Sequence, residues 1–339
     1  MATLSVTNPT LADWSKVVDP SGQIAKVIEL LSQMNEVTDD MVWTEGNLPT
    51  GHRSSVRTSL PTGTWRRLNE GVVPTKSTST HITDSCGMLE TYSEIDKSLA
   101  DLNGNSAEFR LSEDRAFLEG LTQQLVATVF YGNVSTNPER FMGFAPRYNT
   151  TSAAASQTAQ NFLSGGGAGS DNTSIWLVGW GDLTVHGIFP KGSKAGLQMQ
   201  DLGEQTLLDS GGNKFQGYRT HYKWDCGLTV RDWRYAVRIG NIDVSDLAGS
   251  APADLVKLMN RALARIPNLK LCRPAWYMNR TVKQWLDIQR SLGIGTSSLA
   301  NTSNVRRTLD QSDGRLFADF GGIPIRLCDQ LTLAEATVS

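Results

Sequence analysis

The residues best suited to hold a metal or move a proton are four histidines, His52, His81, His186 and His221, and no two share an HxH or HxxxH spacing. Four cysteines, Cys86, Cys226, Cys272 and Cys328, stand singly. They lack the paired spacing of a zinc site, the density of a disulfide framework and any recognisable nucleophile context, so buried reduced thiols are expected. No Gly-x-Ser-x-Gly elbow occurs. The run Gly165–Gly169 lacks the Lys-Ser/Thr of a phosphate loop and reads as a flexible tip. Of the acidic pairs, Glu113/Asp114 suits a helix start and Asp39/Asp40 a solvated turn. No catalytic constellation emerges, so no enzyme activity, cofactor or metal is expected.

One cluster is better suited to recognition than to catalysis. Arg53, Arg57, Arg66 and Arg67 are interleaved with Trp65 in a stretch rich in Gly, Pro, Thr and Ser, from Val42 to Leu89. Short alternating runs, Ser54–Leu60 and Gly63–Leu68, flank the turn signal Pro61–Gly63 and predict a hairpin. Such a hairpin has few large apolar residues and is marginal alone. It is either a mobile surface loop or an arm that pairs with another subunit, and the Trp/Arg content favours the arm. A nucleic-acid patch is the third use of these residues, diluted here by Glu45, Glu70 and Asp84.

The elements that would position this cluster are a helix, a β lobe and further helices. Phe117, Leu121, Leu125 and Val129 recur every four residues within Phe109–Asn133, predicting a helix from an N-cap at Ser112 to Tyr131, ended by Gly132–Asn133 in left-handed backbone. Met88–Leu102 is a further helical candidate. Upstream, an extended arm over residues 1–21 leads to an amphipathic helix carrying Ile24, Val27, Ile28, Leu31 and Met34. Residues 174–242 read as β: Ser174–Trp180, Leu183–Phe189, and a long hairpin of Phe215–Trp224 with Leu228–Ile242 turning at Asp225-Cys226-Gly227. Trp176, Trp180, Trp224 and Trp233 could line a glycan cleft, although alternating aromatics are more often core. Two helices follow, around Leu255–Ile266 and after the cap Asn279, then a polar loop at Gly295–Asn304 and a strand Ile323–Leu327 whose Pro324 suits a sheet edge. The order is that of an α+β chain.

Composition bounds the partners. The 339 residues carry 32 basic and 34 acidic groups, a net of −2, which calls for neither nucleic acid nor an anionic membrane. Charged residues make up 19%, below the roughly 25% of ordinary soluble domains, as suits a surface covered by something other than water. No apolar run approaches the ~18 residues of a membrane span, and the N-terminus has no signal-peptide pattern. A reducing cytoplasm without export is the expected setting.

Several segments carry a family resemblance: LNGNSAEFRLSEDRAFLEGL, VFYGN, NPERFMGFAPRY, WYMNRTVKQWL and GGIPIRLCDQL. Together they resemble the major capsid proteins of tailed bacteriophages, in particular the epsilon-fifteen-like short-tailed group, from about Ala12 to Leu331. The resemblance implies the Hong Kong-type (HK-ninety-seven-like) capsid fold, with an N-terminal arm and helix at 1–41, an extended loop at 42–89 and a peripheral domain with spine helix at 90–150. An axial domain plus returning peripheral elements would occupy 151–331, and a C-terminal tail 332–339. Ser112–Tyr131 would be the spine helix and Ile323–Leu327 a peripheral strand.

The implied function is structural, a subunit of an icosahedral shell of hexamers and pentamers that encloses double-stranded DNA in the virion after assembly in the bacterial cytoplasm. Arg53, Arg57, Trp65, Arg66 and Arg67 would contact a neighbouring subunit. No long scaffolding segment precedes the arm, so a separate scaffolding protein or none is implied, the separate protein being favoured, with a portal and a decoration protein as further partners, non-specific contact with packaged DNA, and no membrane. Some relatives crosslink Lys to Asn, and no such pair maps here. An encapsulin-like cellular compartment is the alternative reading.

Overall fold

A computed structural model describes residues 35–102, 106–209, 211–249, 252–292 and 319–339. The expected helices and loops within 1–34, 103–105 and 293–318 lie outside the described residues.

Among the described residues twelve strands join in one branched sheet: β1 Trp43–Glu45, β2 Gly51–Ser59, β3 Thr78–Asp96, β4 Phe162–Ser164, β5 Asn172–Trp180, β6 Val185–Phe189, β7 Gln198–Leu208, β8 Lys214–Val230, β9 Ala236–Asp243, β10 Arg273–Met278, β11 Asp319–Phe320 and β12 Ile323–Leu327. The main path runs β11-β12-β10-β5-β6-β8-β3-β2, with β1 on β6, β7 on β8, β9 on β5 and β4 on β9. Among the described residues five α-helices accompany it: α1 Val37–Asp40, α2 Lys97–Ala100, α3 Ser106–Tyr131, α4 Leu255–Leu263 and α5 Arg280–Leu292.

The centre is β5 with β9, whose residues are buried along their whole lengths. A strand covered on both faces can be apolar throughout, which is why NTSIWLVGW shows no alternation. Trp176 and Trp180 of β5 meet Phe144 at 5.5 and 6.0 Å between ring centroids, and Phe130 of α3 meets Trp176 at 6.0 Å. Each such pair adds about 0.5–1.5 kcal/mol beyond its buried area. The Trp180 indole N–H also donates to Tyr277 Oη at 2.7 Å. Trp176 and Trp180 are therefore core residues, fully buried, and present no ring face to a glycan.

α3 is longer than its periodicity predicts and starts at Ser106, so Ser112 is interior rather than a cap. Phe109 explains the extension: it is buried with Ile95, Leu99 and Ala100 in a small second core beside Tyr218. Only the C-terminal half, Leu125, Val126, Val129 and Phe130, reaches the main core. Gly132 does end the helix, but not through a left-handed backbone, since its φ is not positive. The chain folds back so closely that a Cβ there would lie 2.4 Å from Phe141 O. Gly143 N–H then donates to Gly132 O at 2.8 Å and Phe144 N–H to Val129 O at 2.9 Å, satisfying carbonyls that the helix end leaves open.

Four further expectations change. Met88–Asp96 is strand, not helix: Leu89, Ser93 and Ile95 turn inward between outward Glu90, Tyr92 and Glu94, and β8 pairs with it from Cys86↔Gly227 to Asp96↔Gly217. Only Lys97–Ala100 is helical, capped by Asp96 accepting from Ser98 N at 2.7 Å. Asp225-Cys226-Gly227 is not a turn, because β8 runs straight through it, and β9 pairs with β5 instead. Gly227 is needed there, since a Cβ would lie 2.8 Å from Ser85 O. Gly63–Leu68 is not a strand, and the partner of β2 is the outer half of β3. Pro324 is not on an edge, for β12 pairs with β10 on one side and β11 on the other.

Candidate functional site: an arm and its root

Among the described residues no three metal-ligating side chains converge. Burial pushes the Cys86 thiol up to about 11 and Cys328 to about 12, and raises Cys226 and Cys272, away from the thiolate form. The feature that stands out is a surface. β2 and β3 form a two-stranded ribbon from Gly51↔Ser85 to Ser59↔Thr78, tipped by residues 60–77. Every residue from Arg57 to Thr83 is exposed. Leu60, Trp65, Leu68, Val72 and Val73 are all on this tip, with Trp65 102% and Leu68 89% exposed.

The ribbon is held by hydroxyls instead of apolar contacts. Thr58 and Ser59 each lie 2.8 Å from Thr78 Oγ1, and Ser55 Oγ lies 2.9 Å from His81 Nδ1. The five expected contact residues divide into two groups. Arg53 and Arg57 are four residues apart on one face of the shaft, opposite Thr83 and Ser79, while Trp65, Arg66 and Arg67 are on the tip. Arg53 is positioned by Asn47, which donates to its carbonyl at 2.8 Å and accepts its N–H at 2.7 Å.

The root of the ribbon is rigid where the tip is bare. Asp84, 6% exposed, accepts from Arg147 Nη2 at 2.8 Å and Thr229 Oγ1 at 2.7 Å. Arg147 also donates to Gly143 O and Met142 O, both at 3.2 Å, tying the root to the loop after α3. His52 Nε2 is 2.8 Å from Arg231 Nη2, and the His52 ring sits edge-on to His186 at 5.8 Å. Burial, then Arg231, pulls both imidazoles below the usual histidine range, His186 to about 4. Neutral His52 thus accepts from the guanidinium.

Two other anchors escaped the sequence reading. Arg326 forks onto Asp40 at 3.0 and 3.1 Å and reaches Glu36 at 2.9 Å, while Tyr277 Oη donates to Asp40 at 2.8 Å. This fastens Glu36–Asp40 to β10 and β12. At the other end Glu335 accepts from Arg238 Nη2 at 2.8 Å, from Tyr131 Oη at 2.6 Å and from Ser174 Oγ. Val338 exchanges two 2.8 Å bonds with the Asn241 side chain. Nothing local in the sequence signals either anchor.

The chain is similar to known shell proteins. A chain of bacteriophage epsilon15 is 35% identical with TM-score 0.76, each covering 100% of the other. The family described as "Major capsid protein GP7" matches residues 19–339. The chain belongs to that family. The capsid chain of bacteriophage JBD30 shares the fold at 8% identity and TM-score 0.50, over 93% of this chain and 100% of that one. The holo-SrpI encapsulin complex of Synechococcus elongatus is far more distant, at 11% identity and TM-score 0.36 over 64% of this chain and 92% of that one. No curated protein sequence matches.

The protein is thus a phage major capsid protein with the Hong Kong-type fold, a virion component that assembles with copies of itself into an icosahedral shell. Its role is structural. In the capsid protein the exposed ribbon joins the body at a root held by buried side-chain hydrogen bonds, and no described residue covers its tip.

Proposed function

We propose that the ribbon is the extended loop of the shell, laid across a neighbouring subunit with Arg53, Arg57, Trp65, Arg66 and Arg67 in the contact. The reading rests on one observation: among the described residues, every one from Arg57 to Thr83 is exposed. A tip that leaves Trp65 and Leu68 in solvent gains stability only where a second chain covers it. Residues 1–41 then form the arm, 42–89 the extended loop, 90–150 the peripheral domain with α3 as spine, 151–331 the axial domain and returning strands, and 332–339 a tail fastened by Glu335.

Hexamers and pentamers of this unit close the shell in the bacterial cytoplasm around double-stranded DNA, which the inner surface contacts without reading sequence. A separate scaffolding protein, a portal and a decoration protein complete the particle, and the subunit catalyses nothing. Removing residues 60–77 tests the reading. The variant keeps the subunit's circular dichroism and melting temperature, because no core contact is lost, yet electron microscopy shows no closed shells. Normal shells from that variant would overturn it.

A further inference from the structure

We infer that Trp65 of one subunit inserts into a cleft between the long helix and β3 of another, an inference that rests on the ribbon reading above and names the partner surface. The cleft holds about 140 Å³. Its walls are Met88, Leu89, Leu125, Thr128, Phe141 and Cys226. Leu125, Phe141 and Cys226 are at most 3% exposed, so they form a fixed floor, while Met88 stands at the mouth, 73% exposed. An apolar cavity of about 150 Å³ accepts a benzene ring. The cleft, open on one side and with Gln124, Glu139 and Arg140 also in its lining, can therefore take the six-membered ring of an indole inserted edge-first, and is too small for a helix or strand.

Trp65 is the ring that needs such a site, wholly exposed between Leu60 and Leu68. Its own cleft is out of reach. From Gly87 at the cleft, β3 runs outward for nine residues to Thr78, about 30 Å, and the tip lies beyond, with no residue of the outer ribbon packed back on the body. Donor and receptor on one chain, separated by an arm's length, can only be matched between copies. Such a head-to-tail contact repeats around a closed assembly. Charge agrees in part: the exposed Glu139 at the rim can accept from Arg66 or Arg67, with Arg140 as the like-charged group beside it.

The larger cleft, about 350 Å³ at Val42, Trp180, Asp182, Lys270 and Arg273, suits the tip less. It sets two cations against one carboxylate, the wrong balance for a segment carrying two arginines.

The test replaces Trp65 with a benzophenone amino acid, in shells assembled from a mixture of isotopically heavy and light subunits. After irradiation, mass spectrometry is expected to place adducts on Met88, Gln124 or residues 139–141 of a different chain. Adducts on a different chain but elsewhere would overturn the cleft assignment and leave the ribbon reading standing. Adducts confined to the same chain, or none, would overturn both. In parallel, Trp65→Ala and Trp65→Phe separate ring from scaffold. The alanine variant is expected to assemble at least about tenfold less readily, the scale of a buried aromatic anchor, with phenylalanine in between. Equal assembly by all three would also overturn the cleft assignment.

Discussion

Arg238 and Glu335 are 97 residues apart in the chain, 2.8 Å apart in space, and each only 5% exposed. Removing one charge from such a pair strands the other in the core at about 3–5 kcal/mol, whereas replacing both can be nearly neutral. Glu335→Ala is expected to lower the unfolding free energy of the unassembled subunit by about that much, since Tyr131 and Ser174 lose their acceptor as well. Urea denaturation of the purified subunit measures it, and a loss under about 1 kcal/mol would contradict the anchor.

The root of the ribbon is a second target. Asp84→Ala removes the acceptor of both Arg147 and Thr229 and is expected to cost about 2–3 kcal/mol, with faster amide exchange concentrated in β2 and the outer half of β3. Uniform acceleration across the sheet would place the loss elsewhere.

The histidine pair beneath the same root makes the subunit sensitive to acid. Burial and Arg231 hold His52 and His186 below their unfolded values, with Asp84 acting oppositely on His52 and Asp182 on His186. The unfolded chain therefore takes up protons first as pH falls. The contribution is whole above about pH 6.5 and is lost progressively toward pH 4, on the order of 3 kcal/mol for His186. Denaturation midpoints at pH 7.5, 5.5 and 4.5 should fall steeply in the native subunit and less in His186→Gln. Parallel curves would contradict the assignment.

Two glycines respond in opposite directions. A Cβ at Gly143 would meet Thr128 O at 2.6 Å and Val129 O at 2.8 Å, so Gly143→Ala is expected to destabilise by about 1–3 kcal/mol. Gly120 has open space around it on the exposed side of the long helix, so Gly120→Ala should stabilise by about 0.4–1 kcal/mol. Thermal melts of the two variants should shift to opposite sides of the native curve.

The sequence showed what periodicity and composition encode, and little that depends on distant partners. Leu121, Leu125 and Val129 at four-residue spacing revealed the long helix because their burial follows from the helix itself. Its start at Ser106 was hidden, because Phe109 is a core residue only once Ile95 and Leu99 lie beneath it. Met88–Asp96 satisfies helical spacing as well as alternation, and pairing with Gly217–Asp225 decides between them. At the site, the shortage of core residues in the tip was legible, and the tip is exposed throughout. Asp84 with Arg147, 63 residues apart, was not, and neither was the cleft formed where Leu89, Leu125 and Phe141 meet.

β3 runs unbroken from Thr78 to Asp96, exchanging β2 for β8 as its neighbour between Ser85 and Cys86. Arm and body are therefore one beam without a hinge at the junction. With the tip laid on a neighbour, as proposed above, a pull on it would be delivered as shear along the β3–β8 hydrogen bonds, and strain between subunits would be shared across a whole strand in the middle of each one.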